Sequence, residues 1–273
     1  MSQSIKDVQN KILETMKYID ELCEKYNITY YIMGGTALGA VRHGGFIPWD
    51  DDLDIFMTID NYEKFKYAFS KEKSNNFVLQ EWKTTKNYLE YAKVRMNGTT
   101  FIESHFKDRL DMHHGIYVDI MILHKAPKST LMKRLLYIES KYVTLYALSQ
   151  RNWKPKTSAQ KIVLNTLKLL PNKFFAWLSY KHIYYFDNKE DFNEYCYWIT
   201  PAKFKKGLFK KNIFSTPIEI KFEDTNLKAP TQIKEYLSLR YGDYMKLPSV
   251  KEQEAAIHAE IFDCIRDYSE YIR

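Results

Sequence analysis

The chain has 273 residues, 45% apolar and 27% charged, a balance that suits a globular protein with a sizeable core and argues against a disordered or fibrous one. Three widely spaced cysteines, Cys23, Cys196 and Cys264, argue against a disulfide framework or a CxxC zinc site, and no run approaches the roughly 18 uncharged apolar residues that span a bilayer. The net charge of +7 is uneven: residues 125–211 hold 18 Lys and Arg against 5 Asp and Glu, while the rest of the chain is net acidic.

An N-terminus without an apolar leader segment, together with unpaired cysteines, predicts a cytoplasmic protein. Residues 4–26 predict a helix, with Ile5, Val8, Ile12, Met16, Ile19 and Cys23 every three or four positions. "ITYYIMGG" predicts a buried strand ending in glycine, "TALGAVRH" a short helix with Thr36 near its start, and "GGFIPW" a loop. "DDLDIFM" alternates as a half-buried strand, and "DNYEKFKYAFSKE" predicts a helix. "FVLQEW", "YAKVRM" and "GIYVDIMIL" predict further strands. Residues 129–186 mix apolar and basic residues at helical spacing, interrupted by Pro155 and Pro171. "GLFKKNIFSTPIEIKFED" predicts a hairpin, and "TQIKEYLSLRYG" and "SVKEQEAAIHAEIFDCIRDYSEYI" closing helices. The class is α+β, with a mixed sheet flanked by helices. The expected division is a catalytic core over 1–124, a basic α-helical subdomain over 125–200, and a C-terminal hairpin with helices over 201–273 packing on the core.

Asp50, Asp51, Asp52 and Asp54 crowd into five positions just after a glycine-rich turn. Such like charges repel unless something relieves them. In a strand Asp52 and Asp54 share a face about 7 Å apart, a spacing a cation can serve better than a shared proton. Hard oxygen ligands suit Mg2+ or Mn2+. Asp119 stands alone in an apolar strand and is costly there unless ligated or paired, Arg95 being one available partner. If its strand lies beside "DDLDIF", three carboxylates converge. A turn at Gly34-Gly35 opening a helix at Thr36 would offer N–H groups to a phosphate. An acidic capping loop is the plainer reading of the aspartates.

Gly34-Gly35-Thr36 followed by Asp52-x-Asp54 resembles the nucleotidyltransferase fold of the DNA polymerase β superfamily. "GGTALGAVRHGGFIPWDDDLDIFM" resembles the signature of the LicD/fukutin phosphotransferase family, and "YAKVRMNGTTFIE", "HGIYVDIMIL" and "LRYGDYMKLP" resemble its later blocks. The resemblance runs from about Tyr30 to Pro248 and is strong over the first 124 residues; the basic stretch from Lys125 to Lys206 has no counterpart in it. It implies transfer of a phospho-alcohol from a CDP-activated donor to a sugar hydroxyl of a surface glycan (teichoic acid, lipopolysaccharide or capsule precursor), with release of CMP. CDP-choline is the favoured donor, ribitol and glycerol the alternatives. It places Asp52 and Asp54 on the family's metal dyad and Asp119 on its third, catalytic carboxylate.

On that reading Arg42, Lys93 and Arg95 are expected phosphate contacts, with Gly34, Gly35, Thr36, Trp49 and Asp51 completing the substrate site. Asp50 and Asp51 would orient Arg42 or His43, or lie just outside the metal ligands. Trp49, Trp82, Tyr88 and Tyr91, with Glu81 or Glu90, are available for a quaternary ammonium. The acceptor is a glycan or lipid-linked glycan, no nucleic acid is expected, and the basic helices, with Lys133, Arg134, Lys161, Lys168 and Lys173, point to an anionic membrane surface at the inner face of the membrane. A nucleotidyltransferase using an NTP and a non-catalytic glycopolymer-binding module are the competing readings.

Overall fold

A computed structural model of the chain describes residues 3–82, 91–104, 106–107, 109, 111–149, 157–169, 172–200, 202–250, 253 and 257–272. They divide into two compact units, one of Met1–Glu81, Tyr91–Ile122 and Asn212–Arg273, the other of Trp82–Glu90 and Leu123–Lys211.

In the first unit, helix α1 (Ile5–Lys25) starts at a reciprocal cap in which Ser4 and Asp7 satisfy each other's backbone N–H groups. Its buried face is the Val8, Ile12, Met16, Ile19, Cys23 stripe read from the spacing. Strand β1 (Tyr31–Ile32) is shorter than expected, because Gly34 takes φ +55° and the chain turns directly into α2 (Gly34–His43). The two glycines therefore open the helix rather than close the strand. Strand β2 (Asp54–Met57) is followed by α3 (Ile59–Glu72), capped by Thr58. Then come β3 (Phe77–Gln80), β4 (Tyr91–Met96), β5 (Thr100–Glu103) and β6 (Tyr117–Ile122).

Five of these strands form one sheet in the order β1-β2-β6-β4-β3. Only β2 and β6 pair in parallel, with Asp54 opposite Asp119. A parallel pair needs a long crossover, here the segment carrying α3 and β3 to β5. On the other side of β6, β4 sets Lys93 opposite Asp119. Leu53, Ile55, Phe56, Val118 and Ile120 are buried without exposed surface, so the acidic positions ride on a strand pair anchored in the core.

The second unit contains β7 (His124–Lys125), α4 (Thr130–Ser149), α5 (Ser158–Leu169), α6 (Asn172–Asp187), β8 (Glu194–Cys196) and β9 (Leu208–Lys210). Its three strands pair as β7-β8-β9. Leu136, Val143, Ala147, Ala176, Ile183 and Trp198 fill its core. His124 Nδ1 and Asp187 Oδ2 form a buried pair 2.7 Å apart. Lys133, expected on a membrane face, is instead ion-paired to Glu194.

The chain returns to the first unit with the hairpin β10 (Ile218–Phe222) and β11 (Thr225–Ala229), α7 (Ile233–Tyr241) and β12 (Ala259–Asp263). Two sequence expectations are corrected here. The hairpin is not built within residues 207–224: Leu208–Lys210 pairs with β8, and the turn lies at Glu223-Asp224 between β10 and β11. The end of the last stretch is not helical, since Ala259–Asp263 is a strand pairing with β5. Ile257, Ile261 and Cys264 fit a helical period, but the open edge of β5 supplies hydrogen bonds that a terminal helix would not leave satisfied.

No helix among the described residues is long and apolar enough to cross a membrane.

Candidate functional site

The carboxylates are gathered by backbone contacts around the start of α2. Thr36 Oγ1 accepts a hydrogen bond from the Asp54 amide at 2.9 Å, and the Met33 amide donates to the Asp54 carbonyl at 3.1 Å. The Asp119 amide donates to the Leu53 carbonyl at 2.9 Å. The loop before β2 is held from α1, where the Gln9 side-chain amide donates to the carbonyls of Ile47 and Asp50. The glycines leave the space these acids occupy. A Cβ on Gly35 would lie 2.7 Å from Asp50 Oδ2, and one on Gly34 would lie 3.3 Å from Asp54 Oδ2.

Asp50, Asp52 and His258 each present a ligand atom, all within 4.8 Å of one another. His258 Nδ1 lies 2.9 Å from Asp51 Oδ1 and 3.6 Å from Asp52 Oδ2. On the opposite side, Lys93 Nζ lies 2.9 Å from one Asp119 oxygen and 3.1 Å from the other, 3.7 Å from Glu103, and 3.2 Å from the Tyr117 ring centre. This connected set holds six carboxyl groups, at residues 50, 51, 52, 54, 103 and 119, against Lys93, Arg95 and His258.

That imbalance sets the electrostatics. Burial first, then the neighbouring Asp52, Asp119 and Asp50, push Asp54 well above the ordinary carboxylate range. Burial and Asp52 raise Asp50 to about 8. Burial raises Asp119 to about 6 against the opposing pull of Lys93. Asp52 is also raised by burial, with His258 opposing. The hydrogen bond to Asp51 raises His258 to about 10, so it is cationic at neutral pH. Clustered, desolvated, hard oxygen donors with an excess of negative charge fit a divalent cation such as Mg2+ or Mn2+.

Of the residues singled out in sequence, Asp52, Asp54 and Asp119 are brought together, with Gly34 and Gly35 against them. Others sit differently. The Gly34 amide is already bonded to the Tyr236 hydroxyl at 2.9 Å. Thr36 is buried and its oxygen positions Asp54. Asp51 orients neither Arg42 nor His43: its buried carboxylate accepts from the His258 amide and ring and from the Ala259 amide. Arg42 lies at the far end of α2, about 12 Å along the axis from Gly34, donating to His43 Nε2 and the Tyr244 carbonyl. Trp49 packs edge-on to His43. Lys93 is a buried partner of Asp119, and Arg95 is buried with its guanidinium on the Gly115 carbonyl. Asp119 thus has an ion pair, but with Lys93 rather than Arg95. Glu81 accepts from Tyr62 and pairs with Lys66. Trp82 belongs to the second unit, and Tyr88 and Glu90 lie outside the described residues.

Sequence reasoning missed His258, Tyr236, Tyr241 and Arg240. The Tyr241 hydroxyl flanks Gly34 beside Asp54, and Arg240 hydrogen-bonds Tyr241 while a buried Nη1 has no hydrogen-bond partner. The only sequence cue was "LRYGDYMKLP", which carries Arg240 and Tyr241. For His258 there was none, because it lies 207 positions from Asp51.

Residues 27–145 match the family model described as LicD/FKTN/FKRP, nucleotidyltransferase domain. The chain is 27% identical over 260 residues to the lipopolysaccharide cholinephosphotransferase LicD of Haemophilus influenzae, covering 92% of this chain and 95% of that one. It is 32% identical over 141 residues to an uncharacterized protein of Rickettsia prowazekii, covering 48% of this chain and 46% of that one. A 48-residue segment is 40% identical to the ribitol 5-phosphate transferase FKRP of Mus musculus, covering 18% of this chain and 10% of that one. The family resemblance read from the motifs therefore holds, and the match to the Haemophilus protein extends it into the basic middle stretch.

Proposed function

We propose that this chain, which carries a LicD/FKTN/FKRP-family domain over residues 27–145, is a metal-dependent phosphotransferase acting on a surface glycan. It moves a phospho-alcohol from a CDP-activated donor to a sugar hydroxyl and releases CMP. Phosphocholine is the favoured group, in line with the name of the Haemophilus relative, and ribitol phosphate is the alternative suggested by the segmental match to FKRP. The single observation that supports this most is the register of β2 and β6, which sets Asp54 directly opposite Asp119 in a cluster overloaded with negative charge.

Asp52 and Asp54 would hold Mg2+ or Mn2+, with Asp50 and His258 next to them and Asp119 on the neighbouring strand. The bound ion would supply charge neutralisation and alignment for an in-line displacement at phosphorus. Asp119, raised to about 6, would take the proton of the acceptor hydroxyl near neutral pH. The acceptor oxygen forms a bond to the phosphorus bearing the alcohol, the bond from that phosphorus to the oxygen bridging to CMP breaks, and CMP leaves with the electron pair. Lys93 holds Asp119 in place and keeps it from drifting higher. Thr36 fixes Asp54, and Asp51 fixes His258 beside Asp52. Arg240 and Tyr241 are candidate contacts for donor phosphate.

Thermal unfolding with Mg2+ and CDP-choline, CDP-ribitol, CDP-glycerol, CTP or ATP tests this. A Mg2+-dependent rise of the midpoint with one CDP-alcohol, lost in the double variant Asp52→Asn/Asp54→Asn, is expected. A rise with CTP or ATP alone would replace the reading with that of a nucleotidyltransferase.

A further inference from the structure

Helix α4 has two apolar sides. Leu136, Val143 and Tyr146 are buried in the second unit's core. A separate stripe, Leu131, Leu135 and Ile138, at i, i+4 and i+7, faces water, with Leu131 79% and Ile138 63% exposed. Helix α6 repeats this: Phe174, Trp177 and Leu178 lie on one face, and Phe174 and Trp177 are more than half exposed. The two surfaces are continuous, because Tyr142, on the α4 stripe one further turn along, packs against Phe175 of α6. Apolar side chains this large and this grouped mark an interaction surface.

Along the sequence of this segment the charge has one sign. From Ser140 to Phe186 the chain carries eight Lys and Arg and no Asp or Glu. The flanking acids are engaged, Glu139 with His182 and Asp187 with His124. Lys181 Nζ sits 4.6 Å from the Trp177 ring, and Lys189 Nζ 4.2 Å from that of Tyr185, so cations border the aromatic residues themselves. A protein partner would need a matching acidic and apolar face. An anionic bilayer offers both features at once, apolar depth for Leu, Phe and Trp and negative headgroups for Lys.

We infer that the α4–α6 face of the second unit docks on an anionic phospholipid surface, with Ile138, Phe174 and Trp177 entering the interface and Lys181 and Lys189 meeting the headgroups. This does not depend on the proposed reaction, since it needs neither donor nor metal. The test is co-sedimentation of the full chain with vesicles of phosphatidylcholine alone and with 30 mol% phosphatidylglycerol. Binding to the anionic vesicles alone is expected, weakening as salt is raised. The exposed pair Phe174→Ser/Trp177→Ser, and separately Lys181→Gln/Lys189→Gln, should each lower partitioning by about tenfold without moving the unfolding midpoint. Equal binding to both vesicles, no binding to either, or binding untouched by both variants would overturn the inference. So would a concentration-dependent dimer that the serine pair abolishes while vesicles are ignored, which would make the face a self-association surface.

Discussion

Asp54 faces Asp52, Asp119 and Asp50 in a desolvated site that holds its carboxyl well above the usual range. Its removal should therefore stabilise the metal-free fold while ending transfer. Asp54→Asn is expected to raise stability in EDTA by about 1 kcal/mol or more and to lower turnover by at least about a thousandfold. Urea unfolding and CMP release read the two effects, and a destabilised Asn variant would contradict the electrostatic account. The pH dependence follows from the same groups. Asp50 and Asp119 are raised from 3.8 to about 8 and about 6, so the folded state keeps protons the unfolded chain has released. Stability then falls as pH rises between those limits. His258, raised from 6.5 to about 10, contributes stability that is whole below 6.5 and lost as pH passes 10. Without metal, stability should decline from pH 5 to 9, and Mg2+ should restore most at the alkaline end. Denaturation at three pH values with and without Mg2+ would reveal a rising or flat profile if this is wrong.

At the scale of elements, the junction of α2, β2 and β12 carries the site. Thr36→Val removes the acceptor of the Asp54 amide. It should cost about 1 kcal/mol and reduce kcat more than KM, whereas Thr36→Ser keeps both. Asp51→Ala removes the carboxylate that accepts from the His258 amide and ring and the Ala259 amide. Hydrogen exchange of β12 should then accelerate while α3 is unaffected; unchanged protection would mean that pairing with β5 alone holds the strand. Helices α1 and α3 were readable in advance because their apolar spacing and Ser4 and Thr58 caps are local. Strand β12 was not, because its register comes from an edge more than 150 positions away.

Across the whole molecule, the acidic cluster and the basic aromatic face lie in different units. The carboxylate cluster lies entirely in the unit of Met1–Glu81, Tyr91–Ile122 and Asn212–Arg273, and the basic aromatic face in the other. Mg2+ should therefore slow hydrogen exchange in residues 31–57 and 117–122 and leave α4 near its metal-free rates. Equal protection of both regions would place the cation elsewhere or couple the units.

The sequence alone determined the acidic dyad, the glycine turn before it, the lone Asp119, the basic middle and the resemblance to the LicD/fukutin family, because each rests on residues close together in the chain. Tertiary structure alone decided that Asp119 stands opposite Asp54, that Lys93 pairs with Asp119, that Asp51 holds His258, and that Tyr236 and Tyr241 close on Gly34. These partners are distant in sequence, and strand register and burial, which no local pattern encodes, select among the charges the chain has available.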